Sequence, residues 1–234
     1  MKRLTILLIS LFITNAFAQN NFDEAIKAFN QKNYSLAIKL FKEDCNKNIA
    51  EACNELGNMY KKGYGVKRDY KKAAYYYEKA CKLNNGAGCY YVGKIYHEGK
   101  GVKADYELAF NYYHEACQLK DGRGCTGLGN MYFNHEGVEK DNRKAAYYYE
   151  KGCEFKDGRG CNNLADAYYS GRGREKNYEK ALFYYKKACK LNFDWGCKEA
   201  GDIYYYGDLG EKNYKLALDY YIKFASRMIA LAVN

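Results

Sequence analysis

The chain has 234 residues, with 38 Lys and Arg against 28 Asp and Glu for a formal net charge of +10, ten cysteines, 28 tyrosines and no proline. Ten cysteines are out of place in a reducing cytosol and natural in an oxidising compartment. The lysines are dispersed rather than gathered into one stripe, which argues against nucleic acid as a partner and favours attraction to acidic cell-envelope polymers or surfaces.

At the start, Lys2 and Arg3 precede a mostly apolar run from Leu4 to Ile13, followed by Ala16-Phe17-Ala18 and Gln19. A charged head, an apolar stretch and a small-x-small cleavage site read as a secretory signal peptide over residues 1–18. The mature chain is expected to begin near Gln19, to carry a net charge of +8 once Lys2 and Arg3 are gone, and to be secreted or periplasmic. No run approaches the ~20 apolar residues that a spanning helix needs, so no membrane span is expected.

Phe22 to Phe41 reads as an abbreviated helix pair, with Ala25 and Phe29 on one helix and Tyr34, Ala37 and Phe41 on the next. Then begins a Cys-x7-Cys element that occurs five times. It pairs Cys45 with Cys53, Cys81 with Cys89, Cys117 with Cys125, Cys153 with Cys161 and Cys189 with Cys197, each pair starting 36 residues after the one before. A fixed period of this length marks a stacked repeat, so residues 19–234 read as one all-α solenoid of about six helix pairs.

The stretch from Cys53 to Cys81 shows what one repeat builds. Cys53, Leu56, Gly57 and Tyr60 fall on one helical stripe, Gly63 and Gly65 end that helix, and Asp69 is placed to cap the next. Ala73, Tyr77 and Ala80 form the buried face of the second helix. The cap recurs as Asp105, Asp141, Asn177 and Asn213, and Gly57 recurs as Gly93, Gly129, Ala165 and Gly201. Glycine inside a helix costs about 1 kcal/mol against alanine; its repetition implies close helix–helix approach. The tyrosine runs Tyr75–Tyr77, Tyr147–Tyr149 and Tyr204–Tyr206 are read mainly as packing. At the end Ala225 stands where a sixth pair would begin, and an apolar helix continues through Met228, Ile229 and Leu231.

Each cysteine pair flanks a helix-to-helix corner, at Asn85-Gly86, Asp121-Gly122 and Asp157-Gly158 in the middle repeats. Thiols on either side of such a corner can reach disulfide distance. Zinc sites favour tighter Cys spacing and fourfold clusters, so five structural disulfides are expected and no metal.

Leu56-Gly57-x-x-Tyr60, Gly63–Val66 and Lys72–Tyr77 together resemble the Sel1-like repeat, a relative of the tetratricopeptide repeat. The element from Lys79 to Cys89 resembles the Helicobacter cysteine-rich protein family. That resemblance implies an α/α solenoid with one disulfide per repeat, secretion, and penicillin binding with weak β-lactamase activity. His135 in place of the first turn glycine and Asn142 in place of a tyrosine depart from the pattern.

No residue announces catalysis. Ser35, Ser170 and Ser226 are the serines beyond the signal peptide, and none begins the Ser-x-x-Lys of serine β-lactamases. His97, His114 and His135 lack metal-ligand spacing, and no cofactor is implied. In a solenoid the first helix of each pair lines the concave face, where Asn54, Asn58, Lys94, Asn130, Asn134, Asn162 and Asp166 lie beside the buried stripe. Asparagine both donates and accepts, which suits pairing with an extended peptide backbone; it equally suits a plain polar surface. The expected partner is a protein or peptide, a cell-envelope component or, through the resemblance alone, a β-lactam.

Overall fold

A computed structural model describes residues 21–233, and the expected signal peptide lies outside the described residues. These residues form twelve helices and no strand: α1 over residues 21–30, then α2 (Tyr34–Asn46), α3 (Ala50–Lys62), α4 (Tyr70–Lys82), α5 (Gly86–Glu98), α6 (Tyr106–Gln118), α7 (Gly122–Asn134), α8 (Asn142–Glu154), α9 (Gly158–Ser170), α10 (Tyr178–Lys190), α11 (Asp194–Tyr206) and α12 (Tyr214–Val233). The all-α helix-pair repeat expected from the 36-residue period is what they build.

The caps explain the boundaries. Asp69, Asp141 and Asn177 accept from the backbone amides of Lys72, Lys144 and Lys180, and Asp105 and Asn213 accept from Leu108 and Leu216 at 2.9 and 3.0 Å. Each cap satisfies an amide that the first helical turn leaves unpaired. Gly63, Gly99, Gly171 and Gly207 close α3, α5, α9 and α11 in the left-handed region. His135 takes that conformation at φ 64°, and its Nδ1 accepts from the Lys140 amide at 3.1 Å, a bond glycine could not supply.

The corners differ from expectation. Asn85, Asp121 and Asp157 are N-caps, accepting from Gly88, Arg123 and Gly160, and the following glycine is already helical. The chain reverses one residue earlier, at Asn84, Lys120 and Lys156, with φ of 62–64°. The glycines serve close approach instead: a Cβ on Gly122 would lie 2.8 Å from the Gly152 carbonyl, and one on Gly158 would lie 2.7 Å from Phe193 Cβ.

All five expected cysteine pairs are bridged. The Cα atoms are 4.8 Å apart in Cys45–Cys53, 4.6 Å in Cys81–Cys89, Cys117–Cys125 and Cys189–Cys197, and 4.4 Å in Cys153–Cys161. Each bridge joins the last turn of one helix to the first turn of the next. The second partner of each pair enters the core: Cys53, Cys89, Cys125, Cys161 and Cys197 are all fully buried. Glu115 approaches the sulfurs of Cys81 and Cys89 closely enough to suggest a metal, but those sulfurs are bonded to each other and offer no thiolate.

The chain divides into two compact units, one ending at Ala109 and one beginning at Phe110. In the first, Phe41, Leu56 and Met59 centre a fully buried cluster. In the second, Leu164, Ala165, Ala181, Ala200 and Ile203 do so, with Tyr149 and Tyr185 against them. Paired helices run antiparallel and meet at the small residue, where a Cβ on Gly57 or Gly129 would lie 2.5 Å from the ring of Tyr77 or Tyr149.

Of the tyrosine runs, Tyr77 and Tyr149 are buried, Tyr76 and Tyr148 are half-buried and stacked on Tyr60 and Tyr132, and Tyr75 and Tyr147 are exposed. Tyr205 and Tyr206 are both exposed, so in the third run only Tyr204, stacked on Tyr220, fits the packing expectation. The last helix shows an uncovered repeat face: Leu182 of α10 is 7% exposed, whereas Leu218 at the same place on α12 is 57% exposed.

Candidate functional site

The small residue at each crossing, Gly57, Gly129, Ala165 or Gly201, has a second consequence. It lets the tyrosine ring lie against the first helix, so that the hydroxyl emerges beside the next residue along. Tyr77 Oη donates to Asn58 Oδ1 at 2.7 Å, Tyr149 to Asn130 at 3.0 Å, Tyr185 to Asp166 at 2.5 Å and Tyr221 to Asp202 at 2.6 Å, always across 19 positions. Burial raises the Tyr149 and Tyr185 pKa values above the usual 10.0; the Asn163 hydrogen bond opposes this at Tyr149, and the Asp166 charge adds to it at Tyr185. Both hydroxyls therefore remain donors at neutral pH. Asp166 is exposed as a residue. Even so, the protein packed around its carboxyl raises that pKa, against the Tyr185 hydrogen bond and with help from Glu199.

In the second unit these tethered groups border a cleft of about 340 Å³ between α7, α8 and α9. Ala145, Ala146 and Tyr149 of α8 are buried and lie at its base, while Asn134, Ser170 and Arg172 are exposed at its rim. Asn163 Nδ2 on α9 donates at 3.1 Å to Asn130 Oδ1 on α7, so one oxygen takes donors from two helices. Asn142 joins the lining where other repeats carry tyrosine, and its Oδ1 is buried without a donor.

The first unit holds a cleft of about 320 Å³ between α3, α4 and α5, lined by Lys61, Lys62, Arg68, Tyr70, Tyr91, Lys94, Ile95, Glu98 and Lys100. These are largely the same repeat positions, 72 residues earlier. Lys61, Lys62, Tyr91 and Lys94 stand where the second unit has Phe133, Asn134, Asn163 and Asp166. Glu98 Oε1 lies 3.7 Å from Lys94 Nζ, and its Oε2 lies 2.8 Å from Lys100 Nζ.

Of the residues singled out from sequence, Asn130, Asn134 and Asp166 come together in the second-unit cleft, and Lys94 lines the first-unit cleft. Asn54, Asn58 and Asn162 line neither. Asn58 binds Tyr77 and donates to Glu55. Asn54 and Asn162 are each 8% exposed, donate to Glu55 and Asp166, and keep a buried Oδ1 without a donor. The cysteines also stay out of both clefts, Cys161 and Cys197 included, and serve the corners alone. Sequence reasoning missed Phe133, Asn163 and Arg172. The signal that could have found the tethers is the Tyr placed 19 residues after Asn or Asp, four times over.

The serines at hand are engaged with main chain: Ser170 Oγ donates to the Asp166 carbonyl at 2.7 Å and Ser226 Oγ to the Lys223 carbonyl at 3.1 Å. His97 meets Tyr106 edge-on and His114 stacks on Phe110. No described helix is long and apolar enough to cross a membrane.

A family model described as Sel1 repeat matches residues 50–85, 86–121, 122–154, 158–193 and 196–227. No curated protein matches the chain. Among solved structures, a protective antigen present in uropathogenic Escherichia coli strains and displaying an SLR fold is 27% identical, with a TM-score of 0.77 over 92% of this chain and 47% of its own. This chain thus spans about half the length of that antigen. A Sel1 repeat protein from Oxalobacter formigenes is 29% identical, with a TM-score of 0.75 over 81% of this chain and 76% of its own. Helicobacter pylori cysteine rich protein B is 40% identical over 56% of this chain and 95% of its own, with a TM-score of 0.47.

Proposed function

The chain belongs to the Sel1 repeat family, and on that premise we propose that it is an exported interaction scaffold that holds an extended polypeptide along the α7–α9 cleft. Sel1 repeats serve protein–protein contact, and the observation that carries the finer reading is the preorganised polar lining. Asn130 and Asp166 are fixed by buried tyrosine hydroxyls before any partner arrives, which lowers the ordering cost of binding. Asn134, Asp166, Ser170 and Arg172 then offer donors and acceptors to a main chain. Export rests on the signal-like residues 1–18 and on five disulfides in one chain.

No observation favours the β-lactam hydrolysis that the family resemblance implies: Ser170 and Ser226 donate to carbonyls of their own helices, an arrangement that does not activate a nucleophile. A photo-crosslinker placed at exposed Asn134 tests the binding reading. A discrete polypeptide adduct from envelope extract is expected there, and none from the same group at exposed Lys190. Equal labelling at both positions contradicts the reading.

A further inference from the structure

The two clefts share a frame and differ in charge. The first-unit cleft is lined by five cationic residues and one carboxylate, the second-unit cleft by Arg172 and Asp166, one of each. Glu98 is already engaged by Lys94 and Lys100, so the lining keeps a strong positive excess. Lys62, Arg68 and Lys100 are exposed at the rim, while Tyr91 and Lys94 are half-buried and Ile95 is buried. A concave surface lined by one sign of charge, with low-dielectric walls, concentrates field and attracts the opposite sign. Tyr70, Tyr91 and Ile95 give the same cleft an apolar seat for the stem of an incoming side chain.

We propose that this first-unit cleft is an acid-reading site, which takes the aspartate or glutamate side chains of a polypeptide partner. It rests on the scaffold reading above and adds to it the chemistry of the partner: a segment with acidic residues where it meets α3–α5. A carboxylate entering between Lys62, Arg68 and Lys100 exchanges water for charge-assisted hydrogen bonds, and the aliphatic part of a glutamate lies against Tyr70 and Ile95. In the second unit Asn134 stands where Lys62 does and Asp166 where Lys94 does, so the same group meets weaker attraction there.

Fluorescence anisotropy with two labelled peptides tests this, one alternating Glu and Ala and the other its Gln–Ala counterpart. The glutamate peptide is expected to bind the full chain about tenfold more tightly, a ratio built from a few partly exposed ion pairs, and the preference should shrink as salt is raised. It should be lost in the triple variant Lys62→Gln, Arg68→Gln, Lys100→Gln, whose positions are at the rim, with an unchanged circular dichroism melt showing that the fold is intact. Equal affinity for the two peptides, or a preference that survives the triple variant, overturns the proposal. Oligogalacturonate binding as tightly as the glutamate peptide overturns the peptide assignment in favour of an acidic glycan. The scaffold reading is judged separately by the adduct at Asn134, so either can fail without the other.

Discussion

The cleft of α3–α5 and the cleft of α7–α9 are built from the same repeat positions and do different electrostatic work. Gly57 and Gly129, Tyr77 and Tyr149, Ala73 and Ala145, Ala74 and Ala146 are shared, and all are buried. At the mouth the shared pattern ends: Lys62 faces the position of Asn134, Lys94 that of Asp166 and Glu98 that of Ser170. The difference teaches where recognition is written. Close packing fixes the frame, so a repeat can change what it attracts only at side chains that the frame does not use.

The comparison can be broken most forcefully at the helix crossing that both units share. Tyr77→Ala or Tyr149→Ala removes a buried ring and should cost about 3–5 kcal/mol, with the faster amide exchange confined to the unit that carries the substitution. Exchange mapped by mass spectrometry would show this; spreading through both units would mean they are one cooperative block. The bridges come next. Removing Cys117–Cys125 by a double serine substitution should cost about 2–3 kcal/mol through the unfolded chain and leave a folded helical protein. Added exchange should concentrate between Ala109 and Tyr132. Global loss of helix by circular dichroism would mean that packing alone cannot hold the stack.

A smaller effect sharpens the contrast. Tyr149→Phe leaves Asn130 Oδ1 with Asn163 as donor, whereas Tyr77→Phe takes from Asn58 Oδ1 the Tyr77 hydroxyl. Both should cost about 1 kcal/mol, with Tyr77→Phe the larger because it leaves a half-buried acceptor without its donor; urea melts would rank them. The smallest effect is pH-dependent. The Asp166 pKa is raised from 3.8 by burial, so its favourable contribution is full below the unfolded value and is lost as pH rises through the folded one. Asp166→Asn restores the residue found at 58 and 130, and should raise the melting temperature slightly at neutral pH. The gain should vanish in acid, below about pH 4 where the wild-type carboxyl is itself protonated; a gain that persists there would assign it to something other than charge.

Much of this was readable before any coordinates. The caps Asp69, Asp105, Asp141, Asn177 and Asn213, the crossing glycines and the cysteine pairs through Cys153–Cys161 and Cys189–Cys197 are local in sequence or periodic, and each carries its own physical reason. The tethers were legible only as a recurrence, Tyr placed 19 residues after Asn or Asp; that Tyr77 meets Asn58 depends on the register of two antiparallel helices, which no single helix encodes. Corner reversal at Lys120 and Lys156 was hidden as well. Lysine is no left-handed residue by preference, at about 1 kcal/mol or more against it, and neighbouring Gly122 and Gly158 drew attention to the wrong position. Charge division between the clefts escaped because it shows only when repeats two apart are compared side by side.

The central claim is that one frame carries two independent linings, and a lining exchange tests it most directly. Lys62→Asn, Lys94→Asp and Glu98→Ser together give the first-unit cleft the second-unit residues at its mouth. Thermal unfolding of this variant should stay within about 0.5 kcal/mol of the parent, as for surface changes away from packing, while its preference for the glutamate peptide over the glutamine peptide falls, because Lys62 and Lys94 are gone and the cationic excess of the lining is halved. A variant that unfolds well below the parent, or that keeps the parent's full preference for the glutamate peptide, would contradict the claim.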